Sequence, residues 1–94
     1  MNINQEQLLL FKAVIETGSF SAAARKLGKV PSAVSMAIAN MEIDLDLQLF
    51  KRIGREPQPT TAAQVLYKKT EQLLVEMNQW KQHAQALSSG LESE

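Results

Sequence analysis

The chain has 94 residues, no cysteine, and ten basic against ten acidic side chains. A disulfide framework and a thiolate metal site are thereby excluded, no apolar run nears the roughly 18 residues that a membrane span needs, and no secretory-signal pattern opens the chain. One small domain remains, near the lower size at which a hydrophobic core is comfortable, and the cytoplasm is its expected compartment.

Residues 5–16, QEQLLLFKAVIE, place Leu8, Phe11, Val14 and Ile15 on one stripe. The spacing predicts an amphipathic scaffold helix closed by Thr17 and Gly18. The next stretch, GSFSAAARKLGKVPSAVSMAIANM, holds two further helical patterns separated by Gly28, Lys29 and Val30. Ser19 is placed to accept an orphan backbone N–H as an N-cap, and Phe20, Ala23, Ala24 and Leu27 recur at helical spacing. Gly28 stands where a helix end favours positive φ, and Pro31 can open the following helix because its missing N–H is not needed there. Val34, Ile38, Met41 and Leu45 give that second helix one apolar face, running from about Pro31 to Asp46, and the alanines allow close approach. A helix-turn-helix is the expectation, over about residues 20–39.

LQLFKRIGREPQPT follows. A turn is expected at Ile53-Gly54-Arg55-Glu56, while Pro57 and Pro59 exclude a long or central strand, so a short two-stranded wing or a structured loop fits best. Thr60 or Thr61 can cap another helix, with Gln64 three residues after Thr61 as in a capping box. There Leu66, Thr70, Leu73, Met77, Trp80, Ala84 and Leu87 fall at alternating steps of four and three. That is a heptad seam on a helix about 40 Å long. A body of 60 residues cannot cover such a seam, so part of it should meet a second chain rather than the chain's own first helix. The tail from 88 to 94 lacks periodicity and reads as a hinge or frayed end.

Charge is uneven despite the zero net. Residues 1–60 carry seven basic and six acidic side chains, residues 61–94 three and four. Arg25, Lys26 and Lys29 accompany the first helix of the pair and Lys51, Arg52 and Arg55 the wing, whereas Glu42, Asp44 and Asp46 gather at the far end of the second helix. A locally basic face suits nucleic acid, although such charges also serve solubility alone.

These residues together carry a resemblance. Leu8, Phe11, Val14, Gly18-Ser19-Phe20-Ser21-Ala22-Ala23-Ala24, Leu27, Ser32-Ala33-Val34-Ser35, Ile38, Glu42, Leu45, Gln48-Leu49-Phe50, Arg52 and Thr60 resemble the N-terminal DNA-binding domain of LysR-type transcriptional regulators. The resemblance covers residues 1 to about 87. It implies a mainly α fold: a winged helix-turn-helix of three helices and a short two-stranded wing over residues 1–60, then a linker helix over 61–87 that pairs two protomers with antiparallel polarity. It also implies a homodimer on an interrupted inverted repeat of double-stranded DNA. A small-molecule effector would act only through a C-terminal domain absent here, residues 88–94 resembling the hinge that precedes it, so a fragment of a longer regulator is expected.

A recognition helix shows its N-terminal half to DNA. With the apolar face turned inward, Ser32, Ser35, Met36, Ala39 and in part Asn40 remain. The serines can bond base edges or phosphates, Met36 and Ala39 can meet a thymine methyl, and Asn40 can reach adenine or the backbone. The free amides after Pro31 offer phosphate an anion site. Ser21 resembles the family's backbone-contacting hydroxyl, Lys29 borders the same groove, and Arg52 and Arg55 can reach phosphates or the minor groove. Val30, Pro31, Met36, Ala37 and Asn40 depart from residues frequent in the family, and no charge lies between Val30 and Met41. Direct readout is thus expected to be thin, with more left to apolar contact and DNA shape. The acidic far end should tilt away from the duplex.

His83 has no partner for a metal. Trp80 and Tyr67 suit helix packing, and no phosphate loop or nucleophile–base set occurs. No cofactor and no catalysis are expected. The other function class the sequence allows is a helical protein-interaction module indifferent to DNA.

Overall fold

The computed structural model describes residues 2–54 and 56–90. Helix α1 spans Gln5–Thr17. Its start is a reciprocal capping box: the Gln7 amide donates to Asn4 Oδ1 at 2.8 Å and the Asn4 amide to Gln7 Oε1 at 3.0 Å, so two orphan donors are satisfied at once. Helix α2 spans Phe20–Leu27. The Ala22 amide donates to Ser19 Oγ at 2.8 Å, the cap that the sequence predicts. At its far end Gly28 takes φ 68°, and the Lys29 amide reaches back to the Ala24 carbonyl at 2.8 Å. This left-handed turn reverses the chain within three residues into α3, Pro31–Leu45. The same closure recurs after α3, where Asp46 takes φ 54° and the Leu47 amide donates to the Glu42 carbonyl at 3.2 Å.

Strands β1, Phe50–Ile53, and β2, Glu56–Pro59, pair antiparallel with Phe50 opposite Pro59 and Arg52 opposite Pro57. The register explains how two prolines fit a ladder. The Thr60 amide donates to the Leu49 carbonyl at 2.9 Å, which makes Leu49–Thr60 a hydrogen-bonded position of the ladder, its second bond replaced by that from the Leu49 amide to Glu42. Pairs alternate, which sets Pro59 and Pro57 at the positions that exchange none. Helix α4 spans Thr61–Ser88. Its cap is Thr60, whose hydroxyl accepts from the Ala63 amide at 3.1 Å and donates to the Gln48 carbonyl at 2.7 Å. The capping box expected between Thr61 and Gln64 does not form. Tethering of Thr60 to the loop before β1 starts the helix one residue earlier, and the Gln64 amide is taken by the Thr60 carbonyl at 3.0 Å.

Among the described residues four helices and a two-stranded wing enclose one core: Leu10, Phe11, Ala13 and Val14 of α1, Ala23 and Ala24 of α2, Val34, Ile38 and Met41 of α3, then Leu49, Phe50 and Ala63. The buried alanines of α2 let α1 and α3 close in on it, as their spacing predicts. Phe50 carries the wing into this core. Its ring lies 6.0 Å from that of Phe11 and 6.1 Å, edge-on, from that of Phe20, arrangements that suit aromatic quadrupoles. No helix among the described residues is long and apolar enough to cross a membrane.

Candidate nucleic-acid interface

Burial of Val34, Ile38 and Met41 dictates what α3 shows. Pro31, Ser32, Met36, Ala39 and Asn40 are exposed and Ser35 is half-buried, so the structure brings all the α3 residues singled out in the sequence to one outer face. Met36 is 66 % exposed and so offers an apolar surface on this face. The hydroxyls of Ser19, Thr60, Thr70 and Ser89 bond to backbone groups. The hydroxyls of Ser21, Ser32 and Ser35 have no intramolecular partner among the described residues and are free to take one from outside.

The anion site at the start of α3 is smaller than expected. Val30 supplies no side-chain cap, and the amides of Ala33 and Val34 both donate to the Val30 carbonyl, at 3.1 and 3.3 Å. Pro31 has no N–H, which leaves the Ser32 amide as the donor available there.

The basic rim divides in two. Arg25, Lys51 and Arg52 are exposed and have no carboxylate partner among the described residues. The Arg52 guanidinium carbon lies 4.6 Å above the centre of the Phe20 ring, a cation–π contact that pins the wing arginine beside the first turn of α2. Lys26 and Lys29 are instead paired with α1, Lys26 with Glu16 at 3.5 Å and Lys29 with Glu6. Glu16 also meets Lys12 at 2.8 Å and accepts from the Tyr67 hydroxyl at 2.6 Å. The bond from Lys12, then that from Tyr67, holds the Glu16 carboxyl below its usual range. The same contact to Glu16, with partial burial and a second bond to Glu71, pushes the Tyr67 hydroxyl well above the ordinary phenol range. Arg55, also singled out in the sequence, lies outside the described residues.

Glu42 has a role that the sequence reading missed by treating it as part of an acidic cluster. Its carboxylate accepts from the amides of Leu49 and Phe50 at 2.8 and 3.2 Å, so α3 holds the wing by its root. The signal available was its place in line with Ile38 and Leu45, partly on the inward face.

The expected seam on α4 separates along its length. Thr70 is buried within the protomer, and Leu66 packs on the same core. The seam's inner edge there is occupied by α1. Met77 and Ala84 are half-buried, whereas Leu73, Trp80 and Leu87 are 48, 71 and 60 % exposed. His83 is exposed, and no group of side chains that could hold a metal occurs among the described residues.

Three helices with tight left-handed turns, a wing rooted in the core and a free outer face on the third helix define a winged helix-turn-helix module. Residues 5–64 match the bacterial regulatory helix-turn-helix protein, lysR family, and the chain belongs to that family. It is similar to the HTH-type transcriptional regulator AceR of Acinetobacter baumannii, 80 % identical over 92 residues that make up 98 % of this chain and 31 % of that protein. It is also similar to the HTH-type transcriptional regulator YhaJ of Escherichia coli O157:H7, 36 % identical over 88 residues, 94 % of this chain and 30 % of that protein. The chain thus spans about a third of the length of these relatives. Among solved structures, the BenM DNA-binding domain bound to catB site 1 DNA superposes with a TM-score of 0.91 at 29 % identity, over 98 % of this chain and 99 % of that one. The same domain on benA site 1 DNA gives 0.88 at 31 %, over 94 and 99 %.

Proposed function

We propose that this chain is the DNA-binding end of a transcription regulator: it binds double-stranded DNA sequence-specifically, as a homodimer on an interrupted inverted repeat. The carrying observation is the outer face of α3, uncharged from Val30 to Met41, with free hydroxyls, an exposed Met36 and a rim of unpaired Arg25, Lys51 and Arg52. Such a face is poorly built for a protein core and well built for a groove flanked by phosphates. The DNA complexes of the BenM domain support the same reading.

Ser32, Ser35, Met36, Ala39 and Asn40 contact base edges. Ser21, the Ser32 amide after Pro31, Lys29, Arg52 and Arg55 hold phosphates. Leu73, Met77, Trp80, Ala84 and Leu87 meet the second protomer. The chain performs no catalysis, as the relatives are regulators, it needs no cofactor, and it works in the cytoplasm. An effector acts through the parts of such regulators that this chain does not span.

The test is a titration of a promoter fragment and of mixed-sequence duplex at two salt concentrations. Preferential, salt-dependent binding to the promoter supports the proposal. Absence of binding to either duplex at low salt leaves the alternative, a helical module that joins proteins through the exposed Leu73, Trp80 and Leu87.

A further inference from the structure

The two lysines nearest the helix-turn-helix turn are held by carboxylates of α1, a helix with no reading role of its own. Lys29 sits between α2 and α3, and its partner Glu6 lies in the first turn of α1. Both line one shallow groove together with Met36 and Asn40, so the ion pair borders the reading face. Lys26 is likewise held by Glu16 at 3.5 Å. Both members of the Lys29–Glu6 pair are exposed, 41 and 60 % at the side chain, and an exposed pair adds little to folding stability. A carboxylate beside an ammonium does at this spot what a phosphate oxygen does in a duplex.

Resting on the DNA-binding reading above, we infer that Glu6 is a specificity-determining residue: its carboxylate occupies Lys29 as an internal substitute for phosphate and holds down sequence-independent binding. Association with random DNA rests almost wholly on phosphate neutralisation and counterion release, so a lysine withheld from phosphate subtracts from it directly. A cognate site adds base contacts and seats α3 deeply. Seating brings a phosphate to Lys29 at the distance where it exchanges with Glu6, and the exchange trades one ion pair for another. The zero net charge of the chain fits this economy: the unpaired Arg25, Lys51 and Arg52 supply attraction, and the α1 carboxylates keep Lys26 and Lys29 from adding to it indiscriminately.

Glu6→Gln in the full chain keeps the shape and removes the charge. Binding is measured on mixed-sequence duplex and on a duplex enriched from a random pool, between 50 and 200 mM salt. On mixed-sequence duplex the salt slope of the variant should steepen by about one unit, so its affinity falls roughly fourfold further than wild type over that fourfold range of salt. At low salt it should bind mixed-sequence duplex several-fold more tightly, and the ratio of enriched to mixed binding should fall. The same substitution in a Lys29→Gln background should change neither slope nor ratio, because the lysine it releases is gone. An unchanged slope in Glu6→Gln overturns the inference, and so does an equal gain in the Lys29→Gln background, which would mark a diffuse charge effect. Wild-type protein that binds neither duplex removes the DNA-binding reading itself, whereas wild-type binding with an inert Glu6→Gln removes this inference alone.

Discussion

Two side chains show how differently polar residues act in this molecule. Ser35 is half-buried on the outer face of α3 and its hydroxyl has no partner among the described residues. Ser35→Ala should therefore leave the urea midpoint nearly unchanged while weakening cognate DNA by about 1 kcal/mol, the net contribution of one hydrogen bond, and mixed-sequence duplex much less. Equal losses on both duplexes would remove its base-reading role. Arg52→Ala should weaken all duplexes alike and flatten the salt slope by about one unit. Glu42 works on folding instead. It accepts two amides at the root of the wing, and its removal leaves both without their acceptor. Both amides share Oε2, so Glu42→Ala should lower unfolding free energy by about 2 kcal/mol and Glu42→Gln, whose amide oxygen still accepts both but without the charge, by roughly half as much. Urea denaturation measures both, and a neutral Glu42→Ala would show that water replaces the carboxylate without loss. The outer face of α3 was legible because burial of Val34, Ile38 and Met41 follows from their spacing alone. The pairing of Lys26 and Lys29 was not, since their partners lie on another helix and no pattern in a linear chain states which exposed charges meet.

At the level of elements, the three helices of the core were readable because each carries its own stop signals: Ser19 before α2, Gly28 after it, Pro31 at the opening of α3. The wing was readable only as short, because its prolines limit a strand without setting its partner; the register that shelters them follows from packing of Phe50 and Leu49. The start of α4 illustrates a local rule overridden by a tertiary bond. Thr61 with Gln64 fits a capping box, yet Thr60 takes the cap because its hydroxyl also bonds the Gln48 carbonyl. Thr60→Ala removes a helix cap and a wing tether together and should cost about 1–2 kcal/mol, with Thr60→Ser close to wild type. Thr61→Ala should be nearly silent. A reversal of that order in urea midpoints would mean that the helix starts at Thr61 in solution.

The described molecule measures 58 × 25 × 20 Å, and α4 supplies most of its length. With 28 residues that helix runs about 42 Å, against about 20 Å for the 13 residues of α1. The two lie antiparallel: Tyr67 reaches Glu16 near the end of α1 and Lys81 reaches Gln5 at its beginning. Cover from α1 therefore ends near Lys81, and it protects one edge of the heptad stripe. This is why Thr70, read in the sequence as part of a seam between chains, is buried at home: a heptad pattern says that a stripe is covered but not by which helix. Leu73, Trp80 and Leu87 face away from α1 and stay exposed, an apolar line that a soluble protomer does not leave bare without cause. Covered by a second copy, the line joins two reading heads. The second DNA contact then becomes intramolecular and affinity rises by about 10²–10⁴. Leu73→Glu places a charge in the middle of the line without touching any residue of the reading face. It should halve the mass in sedimentation, leave the urea midpoint measured at monomer concentrations unchanged, and weaken an inverted-repeat duplex by about a hundredfold or more while barely altering binding to a single half-site. Intact mass together with intact affinity for the inverted repeat would mean that the two heads are joined elsewhere, and Trp80 and Leu87 would then need another cover.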